Sequence, residues 1–158
     1  MCFASVVPAK GVSHPWVAQK LANWISELGD LTVTMKADNE RPIKAIMAEV
    51  RKARGEGTTT LIEPVPEGDK KSNCHGEGAV NTLKGIIRTL VSSVSEKLGE
   101  TIEPGQPIMP WLVEHAAQVR NHFQTQDNGR TAVENLRGRP VDNVMFELGE
   151  RVLYTPLQ

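Results

Sequence analysis

The chain has 158 residues, 39% of them hydrophobic and 23% charged, which fits one globular domain or one domain with an appendage. Its 18 Lys and Arg against 19 Asp and Glu leave a net charge of −1, so overall charge gives no nucleic-acid signal and any such contact must rest on local clusters. No apolar run approaches the roughly 20 residues of a membrane span, the N-terminus lacks the basic lead of a signal peptide, and two cysteines, Cys2 and Cys74, are too few for a disulfide framework.

A reducing compartment is therefore expected. Aromatic residues are only 4% of the chain, which limits the core it can build and suggests a piece of something larger.

Met1 to Val7 is apolar from its first residue and reads as a buried strand. Pro15 to Leu28 reads as an amphipathic helix. Ser13 is its expected cap, Pro15 suits its first turn, and Gly29 ends it. Trp16, Leu21, Trp24, Ile25 and Leu28 share one face. Leu31 to Lys36 alternates and is rich in β-branched residues, as a strand is, and Asp38 follows it. Arg41 to Arg54 reads as a second helix with Ile43, Ile46, Met47 and Val50 as its buried stripe and Gly55 beyond its end. Thr58 to Ile62 is a short strand, and Glu63 to His75 a mobile loop.

Gly76 to Leu98 reads as a long helix, about 34 Å at the usual rise. Its stripe is Val80, Leu83, Ile87, Leu90, Val91, Val94 and Leu98. Pro110 to Gln124 and Thr131 to Leu136 are further helices, and Phe146 to Pro156 suggests a hairpin or the start of a small β-barrel. Strand, helix, strand, helix, strand, long helix, helix is the pattern of an α/β sheet covered by helices.

Two carboxylates could carry chemistry. Asp38 follows the end of a strand, where α/β sheets place their sites, although Asp-Asn after a strand is also an ordinary turn or cap. Glu77 lies in the first turn of the long helix, where the helix dipole alone would favour it. Brought together, they would offer hard oxygen donors to Mg²⁺ or Mn²⁺. Asn81, Lys84 and Arg88 share the Glu77 face of that helix, and the bland reading is a solvated surface.

Around these residues, Lys36 to Ile46 (KADNERPIKAI) resembles the segment around the second catalytic Asp of retrovirus-type integrases, and Lys71 to Leu90 (KSNCHGEGAVNTLKGIIRTL) resembles the segment around their catalytic Glu. Pro110 to Phe123, Gly129 to Pro140 and Leu148 to Leu157 are similar to the segments downstream of that core in retrotransposon polyproteins, those of protists such as dinoflagellates among them. The resemblance implies a ribonuclease H-like mixed sheet flanked by helices. Residues 1–99 would be a partial catalytic core with its leading strands missing, 100–140 a helical extension, and 141–158 the start of a small C-terminal β segment. It implies DNA integration by metal-dependent phosphoryl transfer, with Asp38 and Glu77 as metal ligands. Asn81, Lys84 and Arg88 would contact DNA. The partners would be element ends and target DNA, with a homo-oligomer when the protein is complete, no membrane, and action in the nucleus.

The sequence departs from that pattern in two places. No Asp precedes Asp30, so the family's first catalytic Asp has no counterpart and activity is not expected of the chain as it stands. Cys74 stands where the family usually has Gly. A catalytically inactive remnant and a non-catalytic nucleic-acid or partner-binding domain are the alternatives.

Other candidate sites are weaker. His115 and His122 lie seven apart with no cysteine pair beside them, which does not make a zinc site. Cys74 and His75 are sequence neighbours, poorly placed to act as a nucleophile pair. There is no phosphate-binding or dinucleotide loop. Arg51, Lys52 and Arg54 suit the end of a helix dipole, Arg137 and Arg139 could reach a nucleic-acid backbone, and Trp16, Trp24 and Trp111 are expected in the core.

Overall fold

A computed structural model describes residues 1–64, 74–142 and 146–150. The elements are α1 (Pro15–Glu27), β1 (Thr32–Ala37), α2 (Arg41–Ala53), β2 (Thr59–Pro64), α3 (Cys74–Leu98), α4 (Met109–Phe123) and α5 (Ala132–Arg137). The chain is thus mixed α/β, with five helices and a two-stranded parallel sheet among the described residues. It divides into two compact units, residues 7–80 and residues 1–6 together with those from 81 onward.

In the first unit, β1, α2 and β2 form one crossover. The strands pair in parallel from Thr32↔Thr59 to Ala37↔Pro64. The alternation of β1 does what its sequence pattern requires. Val33 and Met35 pack against Ala18, Ala22 and Ile25 of α1 and Val50 of α2, while Thr32, Thr34 and Lys36 are exposed. On that exposed face Lys36 Nζ donates to Glu63 Oε1 at 3.0 Å, a solvated pair that contributes little. Gly29 and Gly55 follow the helix ends at φ 83° and 71°, left-handed values that glycine adopts without strain.

Two expectations for α1 are corrected. Its N-cap is His14, not Ser13, and it makes no side-chain capping bond. Trp16, placed on the buried face by its spacing, is 44% exposed. At 3.6 residues per turn, position 16 lies on the opposite side of α1 from the buried Ala18, Ala22 and Ile25.

In the second unit, Leu83 of α3 packs with Ala116 and Ala117 of α4, and Val94 packs with Ile102 and Leu112. The small Ala116–Ala117 pair lets a helix approach closely. Val80 and Leu98, at the ends of the expected α3 stripe, are exposed. So is Trp111, at 70%, against the expectation of a core position. It sits in the first turn of α4, where Leu112 takes the buried position instead.

The largest correction concerns the N-terminus. Met1 to Val7 is not a strand. Cys2 and Ala4 do pack against the Leu83–Ala116–Ala117 cluster, so the apolar reading of burial holds in part. The hydrogen-bonding partner is a side chain rather than a neighbouring strand. Cys2 N–H donates to Asn121 Oδ1 and Asn121 Nδ2 donates to Cys2 O, both at 2.7 Å. One amide thereby does the work of a ladder position.

The expected hairpin is also absent where it can be followed. Phe146 to Glu150 make a turn, with Glu150 N–H donating to Glu147 O at 3.0 Å, and the rest of that segment lies outside the described residues. Lys97 Nζ donates to Glu147 Oε2, and this pairing holds the Glu147 carboxyl below its usual pKa.

Helix α5 is short and depends on its caps. Thr131 Oγ1 accepts from Glu134 N–H at 3.3 Å, and Glu134 Oε2 accepts from Thr131 N–H at 2.9 Å, a reciprocal capping box. Gly138 closes the helix at φ 68°. The backbone bond from Thr131 depresses the Glu134 pKa. A depressed carboxyl stabilises the folded form above its unfolded pKa, and that contribution is lost as pH falls through the folded value. Acidification below the ordinary carboxylate range should therefore loosen the α5 cap. Thr131→Ala should cost about 1 kcal/mol at neutral pH, a typical cap loss. Amide shifts of Thr131 and Glu134 followed by NMR through an acid titration check both statements.

Candidate metal and nucleic-acid site

The two strands are parallel, so their C-terminal ends lie on the same side of the sheet. Asp38 is the first residue past the end of β1, and Asn39 and Glu40 carry the chain into α2. Glu40 is the N-cap of α2 without a capping bond from its side chain, which instead accepts from Lys10 Nζ at 3.0 Å. The short Asp38–Glu40 connection ties Asp38 closely to two regular elements. Its side chain is exposed.

Glu77 lies in the first turn of α3 and is exposed. It belongs to the same unit as Asp38, residues 7–80. Asn81, Lys84 and Arg88 follow at 4, 7 and 11 residues from Glu77, and all three are exposed. At 3.6 residues per turn these offsets keep one helix face, so α3 carries a stripe running from an anion at its start to two cations further on. These three residues fall in the second unit.

Among the described residues, no group of three or more His, Cys, Asp and Glu is arranged to hold a metal ion. Asp38 and Glu77 each carry a carboxylate, the hard oxygen donor that Mg²⁺ accepts. Burial on α4 lowers the pKa of His115. Arg139 and Arg137 are exposed at the end of α5.

Two polar residues do structural work that the sequence reading did not give them: Arg54 was read as a cation suited to a helix end, and Asn121 was passed over. Arg54 is only 8% exposed. Its Nη2 donates to Asp30 O at 2.6 Å and its Nη1 to Thr60 Oγ1 at 2.8 Å, with longer approaches to Leu31 O and Thr59 O. Its Nε is buried without a partner. Asn121 is 7% exposed. A signal for both was present in the spacing. Arg54 is four residues after Val50, and Asn121 four after Ala117, so each continues a buried stripe.

No protein-family model matches the chain, and no curated protein matches it.

Proposed function

We propose that the chain is a segment of a retroelement integrase of the ribonuclease H-like kind, in which Asp38 and Glu77 hold a divalent metal ion and the exposed face of α3 meets DNA. The observation that carries this reading is the position of the two acids. One follows the C-terminal end of a parallel strand, the other opens a 25-residue helix, and both lie in one compact unit. The order of motifs around them resembles that of the family. Mg²⁺ or Mn²⁺ would supply charge neutralisation for in-line attack on a phosphodiester. The chain's own residues would hold the ion and position the DNA backbone. Lys84 and Arg88 would take phosphates, giving affinity that depends on salt and tolerates many sequences.

A second reading, a domain that binds nucleic acid without catalysing, is favoured by the same exposed Asn81–Lys84–Arg88 stripe, which needs no metal to attract phosphate.

Calorimetric titration with Mg²⁺ and Mn²⁺ tests the first reading. Asp38→Asn and Glu77→Gln should each weaken metal binding by at least about tenfold, because each removes one of two anionic donors. Metal affinity that survives both changes sinks the metal site. DNA binding tests the second. Lys84→Gln should lower the dependence of log K on log salt by about 0.9, because one phosphate is no longer neutralised. Asp38→Asn with DNA affinity retained and no metal binding in the parent chain leaves the binding domain as the answer.

A further inference from the structure

We infer that Asn128 is a site of spontaneous covalent modification, ring closure to a succinimide followed by hydrolysis, and that the side-chain amides of Asn135 and Gln126 hold this reaction back. Asn128 is the one asparagine in the sequence that is followed by glycine. The pairing matters because the attacking atom is the main-chain nitrogen of the next residue, and glycine has no side chain to hinder it. Residues 124–130 are exposed, so water has access to the loop.

The reaction needs no co-reactant other than water. Gly129 N bonds to Asn128 Cγ and gives up its proton. The Cγ–Nδ2 bond breaks, and Nδ2 leaves as ammonia with that proton. Water then opens the five-membered ring at either of its two carbonyls. One opening leaves aspartate at position 128. The other leaves isoaspartate, in which the main chain runs through the former side chain and is longer by a methylene.

The folded loop opposes this step at each reacting group. Gly129 N–H donates to Gln126 O at 2.8 Å, so the nucleophile must first leave a partner. Asn128 Oδ1 accepts from Arg130 N–H at 3.0 Å, which closes a turn of side chain onto main chain. Asn128 Nδ2 donates to Asn135 Oδ1 at 2.9 Å, and Asn135 Nδ2 donates to Gln126 Oε1 at 2.8 Å. The carboxamide is thus held at its oxygen and at its nitrogen. The ends of the loop are tied by the Thr125↔Thr131 bridge and by Gln126 N–H donating to Arg130 O at 2.9 Å.

The direction of this relay has a single source. A main-chain N–H can only donate, so Arg130 fixes which end of Asn128 is oxygen, and the two later amides follow from it. Aspartate at 128 would place oxygen at both ends. Asn135 and Gln126 then turn over, and every contact is restored in the opposite sense. Isoaspartate allows no such repair. Its extra methylene shifts the register of the Thr125↔Thr131 bridge, and Thr131 is the cap of α5. The two products of one ring therefore differ in outcome, with α5 kept in the first and released in the second.

Peptide mapping of the full chain, held at mildly alkaline pH, tests this independently of metal and DNA. The tryptic peptide 121–130 should gain the mass by which oxygen exceeds NH, and its fragmentation separates Asn128 from Asn121. In the folded parent this gain should be at least about tenfold slower than in urea, because reaction waits on local opening. Asn135→Ala should recover most of the urea rate with circular dichroism unchanged, since alanine suits a helix. Asn128→Asp should keep the Thr131 and Glu134 amides protected from hydrogen exchange, whereas the chromatographically isolated isoaspartate form should lose that protection and retain it in α3. Equal rates in the folded and the unfolded chain overturn the proposal. So does an Asn135→Ala chain that is modified no faster than the parent.

Discussion

Arg54→Ala should lower the unfolding free energy of the first unit by about 3–5 kcal/mol, read as a lower urea midpoint. The guanidinium is buried at the end of α2 and joins it to the starts of both strands through Asp30 O and Thr60 Oγ1. Hydrogen bonds from a charged donor are worth roughly 1.5–3 kcal/mol each, and here two are short. Removing the side chain also leaves carbonyl oxygens without donors and a cavity where the stem lay. The partners are carbonyls and a hydroxyl rather than a carboxylate, so the fork geometry matters more than the charge. Arg54→Lys should therefore recover only part of the loss, since one ammonium cannot reach both strand ends at once. A lysine variant as stable as the parent would show that charge alone is needed and refute this account.

Asn121→Ala should cost about 2–3 kcal/mol in the second unit and free residues 1–6. Two hydrogen bonds of 2.7 Å disappear together, and the half-buried N–H and C=O of Cys2 are left without them. Hydrogen exchange separates this from a general loosening. The Cys2 amide should lose its protection by far more than amides in α3 do. Asn121→Asp is the sharper variant. It keeps an acceptor for the Cys2 N–H but sets a carboxylate oxygen against the Cys2 carbonyl, so at neutral pH it should destabilise more than its size suggests. Equal protection at Cys2 in parent and alanine variant would mean that the clamp holds nothing.

The regular elements were legible because their patterns are local. Alternation in Leu31 to Lys36 and the 3.6-residue stripe in Arg41 to Arg54 reappear in β1 and α2 with boundaries moved by one residue. The end of α1 was legible from Gly29, and a short helix over Thr131 to Leu136 reappears as α5. Met1 to Val7 failed for a physical reason. Apolar composition reports that a segment leaves water, but not what its main chain bonds to, and here the partner is a side chain 119 positions away. Trp16 and Trp111 failed because aromatic character suggested burial, whereas each lies on the far side of its helix from the buried Ala18, Ala22 and Ile25 of α1 or Leu112, Ala116 and Ala117 of α4. Asp38 and Glu77 were legible as a strand end and a helix start, and the structure places them there. Their joint role rests on motif order, which no local pattern supplies. Arg54 was read as a cation suited to a helix end and Asn121 was passed over, because polarity masks a buried position in any reading keyed to apolar residues.

The Asn121 clamp divides mutational tolerance unevenly between its two ends. It grips only main-chain atoms at position 2, so as far as hydrogen bonding goes any residue that keeps an N–H can stand there, and proline alone is barred. At position 121 the demand is the reverse: a planar group with one donor and one acceptor, at asparagine length, on a buried helix face. At position 2 substitution should therefore be limited only by packing against Leu83, Ala116 and Ala117, whereas at position 121 the bonds themselves forbid it, although the two residues share the same pair of bonds.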